Sequence, residues 1–136
     1  MSIKVLLADD SNTMRSAIGK FLDEEPSTQL VGEAMGFGQT VQLANALKPD
    51  IVLMDLHMSD EGEYSPESVK VQLSVDAGCV LAISFWNDET AKALAMRFGA
   101  RALLDKTNLY SELISAIKRN SPPDAWRVPV KRCEAE

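Results

Sequence analysis

Cysteine and long apolar runs, which define several classes of protein, are scarce in this sequence. Its 136 residues include two cysteines, Cys79 in an apolar run and Cys133 in a polar stretch. This pair has neither the spacing of a zinc site nor the pattern of a disulfide framework, so we expect reduced thiols and a cytoplasmic location. No apolar run is long enough to span a membrane, and the first residues lead into a strand pattern rather than a signal peptide.

Positive charge is also in short supply. The chain has 14 lysine and arginine residues against 20 aspartate and glutamate residues, which gives a formal net charge of -6. Because binding to a nucleic-acid backbone depends on counterion release by a basic face, we expect no direct contact with DNA or RNA. The hydrophobic fraction of 46% and the charged fraction of 25% are typical of a soluble globular protein. The length suits a single domain.

What the sequence does contain is a strict alternation of strand and helix patterns. Short apolar runs predict five strands, at residues 3–8, 29–34, 51–55, 79–83 and 101–104. Amphipathic segments predict five helices, which begin after Ser11, at Thr40, after Ser65, after Asp88 and at Leu109. This alternation favours right-handed crossovers and a parallel sheet with helices on both faces, which is an α/β three-layer sandwich.

Polar side chains stand at the carboxyl ends of these strands. Asp9 and Asp10 follow the first strand, Asp55 ends the third, Ser84 follows the fourth, and Lys106 comes just after the fifth. In an open parallel sheet the carboxyl ends meet at the edge where ligands bind. Three carboxylates at that edge repel one another and favour a hard divalent cation. Few protein oxygens, with room for water and phosphate, suit Mg²⁺ better than Ca²⁺.

This set of residues predicts phosphoryl transfer. Aspartate is a known type of covalent phosphoryl acceptor, and the transfer depends mainly on positioning and charge stabilisation. With Mg²⁺ bound, Asp55 can act as a nucleophile towards phosphorus. A lysine and a serine across from it, here Lys106 and Ser84, would hold the remaining phosphoryl oxygens.

Four motifs at this spacing resemble the response-regulator receiver domains of bacterial two-component signalling. They are VLLADDS at residues 5–11, PDIVLMDLHM at 49–58, Ile83-Ser84, and Gly99-Ala100 with Asp105-Lys106. The resemblance covers about residues 3–119. The segments at 29–34 and 48–50 are most similar to receivers that precede a helix-turn-helix DNA-binding domain.

The resemblance implies a fold and a metal site. The fold would be a doubly wound, flavodoxin-like, five-stranded parallel sheet in the order 2-1-3-4-5. Asp55 would be the phosphorylation site and Asp10 a direct Mg²⁺ ligand. Asp9 would help through water, and the backbone carbonyl of His57 would complete the metal site. Among the remaining positions, Ser84 would be the switch hydroxyl and Lys106 the lysine that contacts the phosphoryl group.

The same resemblance implies a domain layout and a partner. Residues 1–120 would form the receiver domain, and residues 121–136 a tail or the stub of a linker. The phosphoryl donor would be a histidine kinase or a phosphotransfer protein. Formation of a homodimer is left open, and neither nucleic acid nor a membrane is expected as a partner. The sequence leaves open whether the chain is a stand-alone receiver or is truncated before a DNA-binding domain.

Four positions depart from the family pattern near the expected site. Ser59 replaces a proline, Phe85 stands where a small residue is common, Leu103 occupies the switch-aromatic position, and Thr107 replaces the proline after the lysine. Because a non-proline cis bond costs about 2.5–4 kcal/mol, we predict a trans Lys106-Thr107 bond and a shifted loop. We also predict that Phe85 crowds the phosphoryl site.

Two other functions compete with a phosphorylated receiver. One is a degenerate receiver that binds partners without being phosphorylated, which the four departures favour. The other is a Mg²⁺-dependent phosphatase with an aspartyl nucleophile, but this would need a second aspartate two residues after Asp55, where the chain has His57. Two further hypotheses are a side-chain role for His57 and a dinucleotide loop at residues 36–41.

Overall fold

One five-stranded parallel sheet organises the protein in the computed structural model, which describes residues 2–121. Its strand order is β2-β1-β3-β4-β5. The strands are β1 Ile3–Ala8, β2 Thr28–Ala34, β3 Ile51–Asp55, β4 Cys79–Ser84 and β5 Ala102–Asp105. The predicted α/β doubly wound sheet is therefore confirmed, and its strand ends lie within about one residue of those expected from the apolar runs.

Five α-helices and two short 3₁₀ turns connect the strands within the described residues. The helices are α1 Asn12–Asp23, α2 Phe37–Leu47, α3 Pro66–Asp76, α4 Glu89–Arg97 and α5 Leu109–Asn120, and the turns are Glu61–Glu63 and Lys106–Asn108. Three helix starts follow from capping side chains. Ser11, Ser65 and Asp88 each accept a hydrogen bond from the amide three residues further on, at 3.2, 3.1 and 2.9 Å.

The start of α2 differs from the prediction, because the helix begins at Phe37 rather than at Thr40. The carboxylate of Asp60, which belongs to the loop after β3, accepts hydrogen bonds from the Phe37 and Gly38 amides. A distant side chain therefore stabilises a helix start for which the local sequence gives no indication. The same contact occupies the amides that a dinucleotide phosphate would need, so the structure does not support a dinucleotide loop here.

Apolar side chains fill both faces of the sheet. On one face α1 and α5 pack against the strands through Ile18, Leu22, Leu113 and Ile117, and on the other α2, α3 and α4 pack through Phe37, Ala44, Leu73 and Ala95. All residues of β3 and β4 are buried. Full burial of a leucine or isoleucine side chain contributes about 1.5–3 kcal/mol to stability, so the two helix layers stabilise the sheet and fix the positions of the strand ends.

The end of the chain can be compared with the prediction only in part. Of the predicted tail or linker stub at 121–136, the structure describes Ser121 alone, as the C-cap of α5. The other residues of that stretch, with Cys133 among them, lie outside the described residues. Within residues 2–121, every helix is too short or too polar to cross a bilayer.

Candidate functional site

The carboxyl edge of the sheet forms an open cavity of about 340 Å³. All of the predicted site residues line it, namely Asp9, Asp10, Asp55, His57, Ser84 and Lys106. The pairing register explains this arrangement. Asp55 of β3 lies opposite Ile83 of β4, and Ser84 of β4 lies opposite Asp105 of β5, so the carboxyl ends of these neighbouring strands lie side by side. We call this the carboxyl-edge cavity.

Three carboxylates converge in this cavity. One oxygen each of Asp9, Asp10 and Asp55 can be chosen so that all three lie within 4.8 Å of one another. Asp9 is fully buried, Asp55 is 7% exposed, and Asp10 faces solvent. Each buried carboxylate has one oxygen fixed by the backbone: the Ser11 amide donates to Asp9 Oδ1 at 2.9 Å, and the His57 amide donates to Asp55 Oδ1 at 3.2 Å.

The second oxygen of Asp9 provides a test of whether a cation fits. Asp9 Oδ2 is buried and, among residues 2–121, accepts no hydrogen bond of normal geometry and contacts Lys106 as an ion pair. This oxygen has unused lone pairs and lies beside two further carboxylates. Together the three groups form a set of hard oxygen donors that is open to solvent on one side. Such a set fits Mg²⁺, which keeps several water ligands when it binds to proteins.

Lys106 lies between the two buried carboxylates. Its Nζ atom is 2.9 Å from Asp55 Oδ2 and 2.9 Å from Asp9 Oδ2, and its side chain is 5% exposed. Burial lowers the pKa of Lys106, but the close contacts with Asp9 and Asp55 and their negative charges raise it by more, so the net shift is upward and the ammonium stays charged.

The pKa of Asp55 is shifted upward, and burial is the main cause. The hydrogen bond and charge of Lys106 lower the pKa, the negative charge of Asp9 raises it, and the hydrogen bond from the His57 amide lowers it. Lys106 thus favours the ionised form of a carboxylate whose pKa burial raises. This arrangement suits a nucleophile that must meet a negatively charged phosphoryl group.

The loop that carries Lys106 is fixed by hydrogen bonds instead of a proline. Asp105 Oδ1 accepts a hydrogen bond from the Thr107 amide at 2.9 Å and another from the Thr107 hydroxyl at 2.7 Å. The Lys106–Thr107 bond is trans, as predicted, since the described residues contain no cis peptide. The hydrogen bonds from the Thr107 hydroxyl and then its amide lower the pKa of Asp105, so the carboxylate that holds this turn stays ionised.

Ser84 and His57 play different parts in the cavity. Ser84 is 2% exposed, and its hydroxyl oxygen accepts a hydrogen bond from the Trp86 amide at 3.0 Å. The His57 side chain is half exposed, with Nδ1 3.1 Å from Glu61 Oε1 and its ring set edge-on to Trp86. The structure thus directs the His57 imidazole towards its neighbours on the surface, while its backbone amide contacts Asp55.

Two aromatic side chains form a rim on the cavity. The Phe85 ring lies over the Lys106 ammonium, 4.9 Å from Nζ to the ring centroid, and both Phe85 and Trp86 are more than half exposed. The sequence predicted crowding by Phe85 but gave no sign of this cation–π contact. It also gave no sign of the hydrogen bond from the Arg15 guanidinium to the Asp9 carbonyl oxygen, at 2.7 Å. Leu103 packs, partly buried, against the core beneath α4.

Comparison with known proteins identifies a family. The profile described as "Response regulator receiver domain" matches residues 5–118. The transcriptional regulatory protein LiaR of Bacillus subtilis is 33% identical over 120 residues, which are 88% of this chain and 56% of LiaR. A protein-glutamate methylesterase/protein-glutamine glutaminase of Myxococcus xanthus is 34% identical over 110 residues, 79% of this chain and 30% of that enzyme. The chain therefore spans about half the length, or less, of these relatives.

Solved structures agree with the sequence relatives. The response regulator domain of Thermotoga maritima CheB superposes with a TM-score of 0.76 at 26% identity, over 88% of this chain and 96% of that domain. The receiver domain of NarL from Mycobacterium tuberculosis superposes with a TM-score of 0.76 at 25% identity, over 87% of this chain and 94% of that domain.

Proposed function

Because the chain belongs to the family of response regulator receiver domains, we propose that it is a phosphorylation-dependent signalling switch that accepts a phosphoryl group on Asp55. The donor would be a histidine kinase or a phosphotransfer protein, and the setting the bacterial cytoplasm. The observation that carries this proposal is the position of Lys106, 2.9 Å from both Asp9 and Asp55 in a cavity that also holds Asp10 and Ser84.

The proposed transfer uses each of these side chains. A carboxylate oxygen of Asp55 forms a bond to phosphorus while the phosphorus–nitrogen bond of a donor phosphohistidine breaks, and the leaving imidazole takes up a proton. Lys106 balances the charge of the phosphoryl oxygens, and the Ser84 hydroxyl donates a hydrogen bond to one of them. Asp9, Asp10, Asp55 and the His57 backbone carbonyl would hold Mg²⁺, which supplies further charge neutralisation when bound.

The first test avoids the need for a specific kinase. Amide chemical shifts are recorded by NMR while Mg²⁺ and then beryllofluoride, a small phosphoryl mimic, are added to the wild-type protein and to Asp55→Asn. Asp23→Asn makes the same change at an exposed residue in α1 and serves as the matched control. We expect shifts in the wild type and in Asp23→Asn that reach Ser84, Lys106 and α5, and none of these in Asp55→Asn.

A phosphorylation-independent interaction module is the second candidate. Two observations favour it: the Phe85 ring covers Lys106, and position 103 has a leucine where an aromatic switch residue would otherwise respond to Ser84. The same titration separates the two functions. If neither Mg²⁺ nor beryllofluoride causes an Asp55-dependent change, the switch proposal is wrong and the interaction module is the better description.

A further inference from the structure

The loop after β3 is attached to the N-terminus of α2. Asp60 Oδ1 accepts a hydrogen bond from the Phe37 amide at 2.9 Å, and Asp60 Oδ2 accepts one from the Gly38 amide at 3.1 Å. The N-cap residue of α2 is Gly36, which has no side chain to do this. A carboxylate from a segment more than 20 residues away thus caps the helix and lies at the positive end of its dipole.

Two glycines make room for this attachment. A Cβ atom on Gly36 would lie 2.8 Å from Asp60 Oδ2, and a Cβ atom on Gly38 would collide with the hydroxyl of Tyr64. The backbone of Gly36 is extended, so it is the approach of Asp60 that excludes a side chain there. Gly36 and Gly38, which the sequence suggested as part of a nucleotide-binding loop, instead leave space for the loop that follows β3.

The attached loop also bears on the carboxyl-edge cavity. Its first residues contact the site, since the His57 amide donates to Asp55 Oδ1. Met58 is 3% exposed in the core, and its carbonyl oxygen accepts a hydrogen bond from the Glu61 amide at 3.0 Å. The segment between Asp55 and Asp60 is therefore fixed at both ends. The His57 amide binds Asp55 at the site, and the Asp60 carboxylate binds the start of α2.

We propose that Asp60 is a positioning residue of the Mg²⁺ site: by fixing the loop on α2, it holds the His57 backbone where the cation needs it. This inference rests on the proposed function, because it assumes that Mg²⁺ binds beside Asp55. It differs from an effect of charge, since Asp60 acts through two backbone amides. The coupling is reciprocal, so Mg²⁺ must in turn tighten the contact between Asp60 and the start of α2.

The experiment compares three single variants with the wild type. Asp60→Ala removes the cap, Gly36→Ala displaces the carboxylate without removing it, and Glu63→Ala removes the same charge from an exposed position of the same loop. The Mg²⁺ dissociation constant is measured by NMR titration. Hydrogen exchange of the Phe37 and Gly38 amides is measured with and without Mg²⁺. These measurements report on folded protein and do not depend on phosphorylation.

We expect Asp60→Ala and Gly36→Ala to weaken Mg²⁺ binding by about tenfold, the low end of the loss seen when groups that orient metal ligands are removed. Glu63→Ala should change it less than about twofold, because exposed charges are screened. In the wild type, Mg²⁺ should slow exchange of the two amides, and in Asp60→Ala it should not. A double variant that combines Asp60→Ala with Gly36→Ala should bind Mg²⁺ no more weakly than Asp60→Ala, because both changes break the same contact.

Two results would overturn the inference in different ways. If the wild type binds Mg²⁺ in an Asp55-dependent manner but Asp60→Ala and Gly36→Ala bind it equally well, Asp60 has no positioning role and the proposed function stands. If Glu63→Ala weakens binding as much as Asp60→Ala, the effect is one of charge, and the inference is again wrong. Absence of Asp55-dependent Mg²⁺ binding in the wild type overturns both the inference and the proposed function.

Discussion

Replacing Lys106 by methionine should destabilise the protein strongly in the absence of divalent cations. Methionine keeps much of the length and apolar volume of lysine but removes the charge that two buried carboxylates share. Asp9 is 0% and Asp55 10% exposed at the side chain, so neither can recover full hydration when the ammonium is lost. The variant therefore leaves two like charges together in a poorly solvated cavity.

The magnitude follows from the distances. At an effective dielectric constant of 20, each 2.9 Å contact of Lys106 is worth about 6 kcal/mol of Coulomb attraction. Most of that gain is offset by the cost of burying the three charges. Measured losses on removing one partner of a buried ion pair are about 3–5 kcal/mol, which we take as the expected loss. Repulsion between the oxygens of Asp9 and Asp55, within 4.8 Å of each other, acts in the same direction.

Urea unfolding followed by circular dichroism measures this loss. With a slope of about 2 kcal/mol per molar urea, the midpoint of Lys106→Met should fall by about 2 M in buffer with a chelator. Added Mg²⁺ should restore part of the stability, because the cation binds the folded state and supplies the missing positive charge. Lys92→Met is the matched control, since the ion pair that Lys92 makes within the described part of the chain is an exposed 3.6 Å contact with Glu89.

The reasoning would be refuted by a small effect. If Lys106→Met loses less than about 1 kcal/mol, or no more than Lys92→Met, the buried charges are not coupled as the geometry indicates. Failure of Mg²⁺ to stabilise the variant would show that the carboxylates do not form a cation site.

Three further predictions concern Phe85, the Lys48–Asp76 ion pair and Gly78. Removing the ring that lies over Lys106, in Phe85→Ala, should speed both phosphorylation by a small phosphodonor and loss of the phosphoryl group, and unchanged rates for both would contradict this. The pKa of Asp76 lies below its ordinary value of 3.8, mainly because Lys48 donates a hydrogen bond to its carboxylate. The ion pair therefore stabilises the folded state above pH 3.8, and this contribution is lost as the pH falls through the lower pKa of the folded state. The difference in unfolding midpoint between wild type and Lys48→Met should thus be present at pH 7 and vanish in strong acid; a pH-independent difference would count against it. Gly78→Ala should cost about 1–3 kcal/mol in urea unfolding, because its Cβ would lie 2.6 Å from the Asp50 carbonyl oxygen, and a neutral result would show that the backbone yields easily.

Local sequence patterns predicted most of the fold because four of the five strands, β1, β3, β4 and β5, are short, largely apolar runs that end at or just before a polar residue. Asp9, Asp55 and Lys106 could be placed at one edge for the same reason, since parallel strands direct their carboxyl ends to one side. The strand order itself came from the family resemblance. Periodicity alone does not determine it.

Contacts between loops account for what the sequence did not reveal. The early start of α2 depends on a hydrogen bond to Asp60, and Asp60 fits there because Gly36 has no side chain. Neither segment carries a sequence pattern that indicates its contact with the other. The contact of Phe85 with Lys106 likewise joins two loops that follow different strands. Such pairings are set by the completed tertiary structure, which short-range patterns do not record.

The ion pair between Lys106 and Asp9 has a consequence for when the protein can work during its own synthesis. Asp9 lies at the end of the first strand and Lys106 just past the last, so almost the whole described chain separates the two charges. Contacts of such long range form late, after the cost of closing the chain between them has been met. A nascent chain that has left the ribosome only as far as β4 displays Asp55 without its lysine. The set of charges at the carboxyl edge is therefore completed only when β5 joins the sheet.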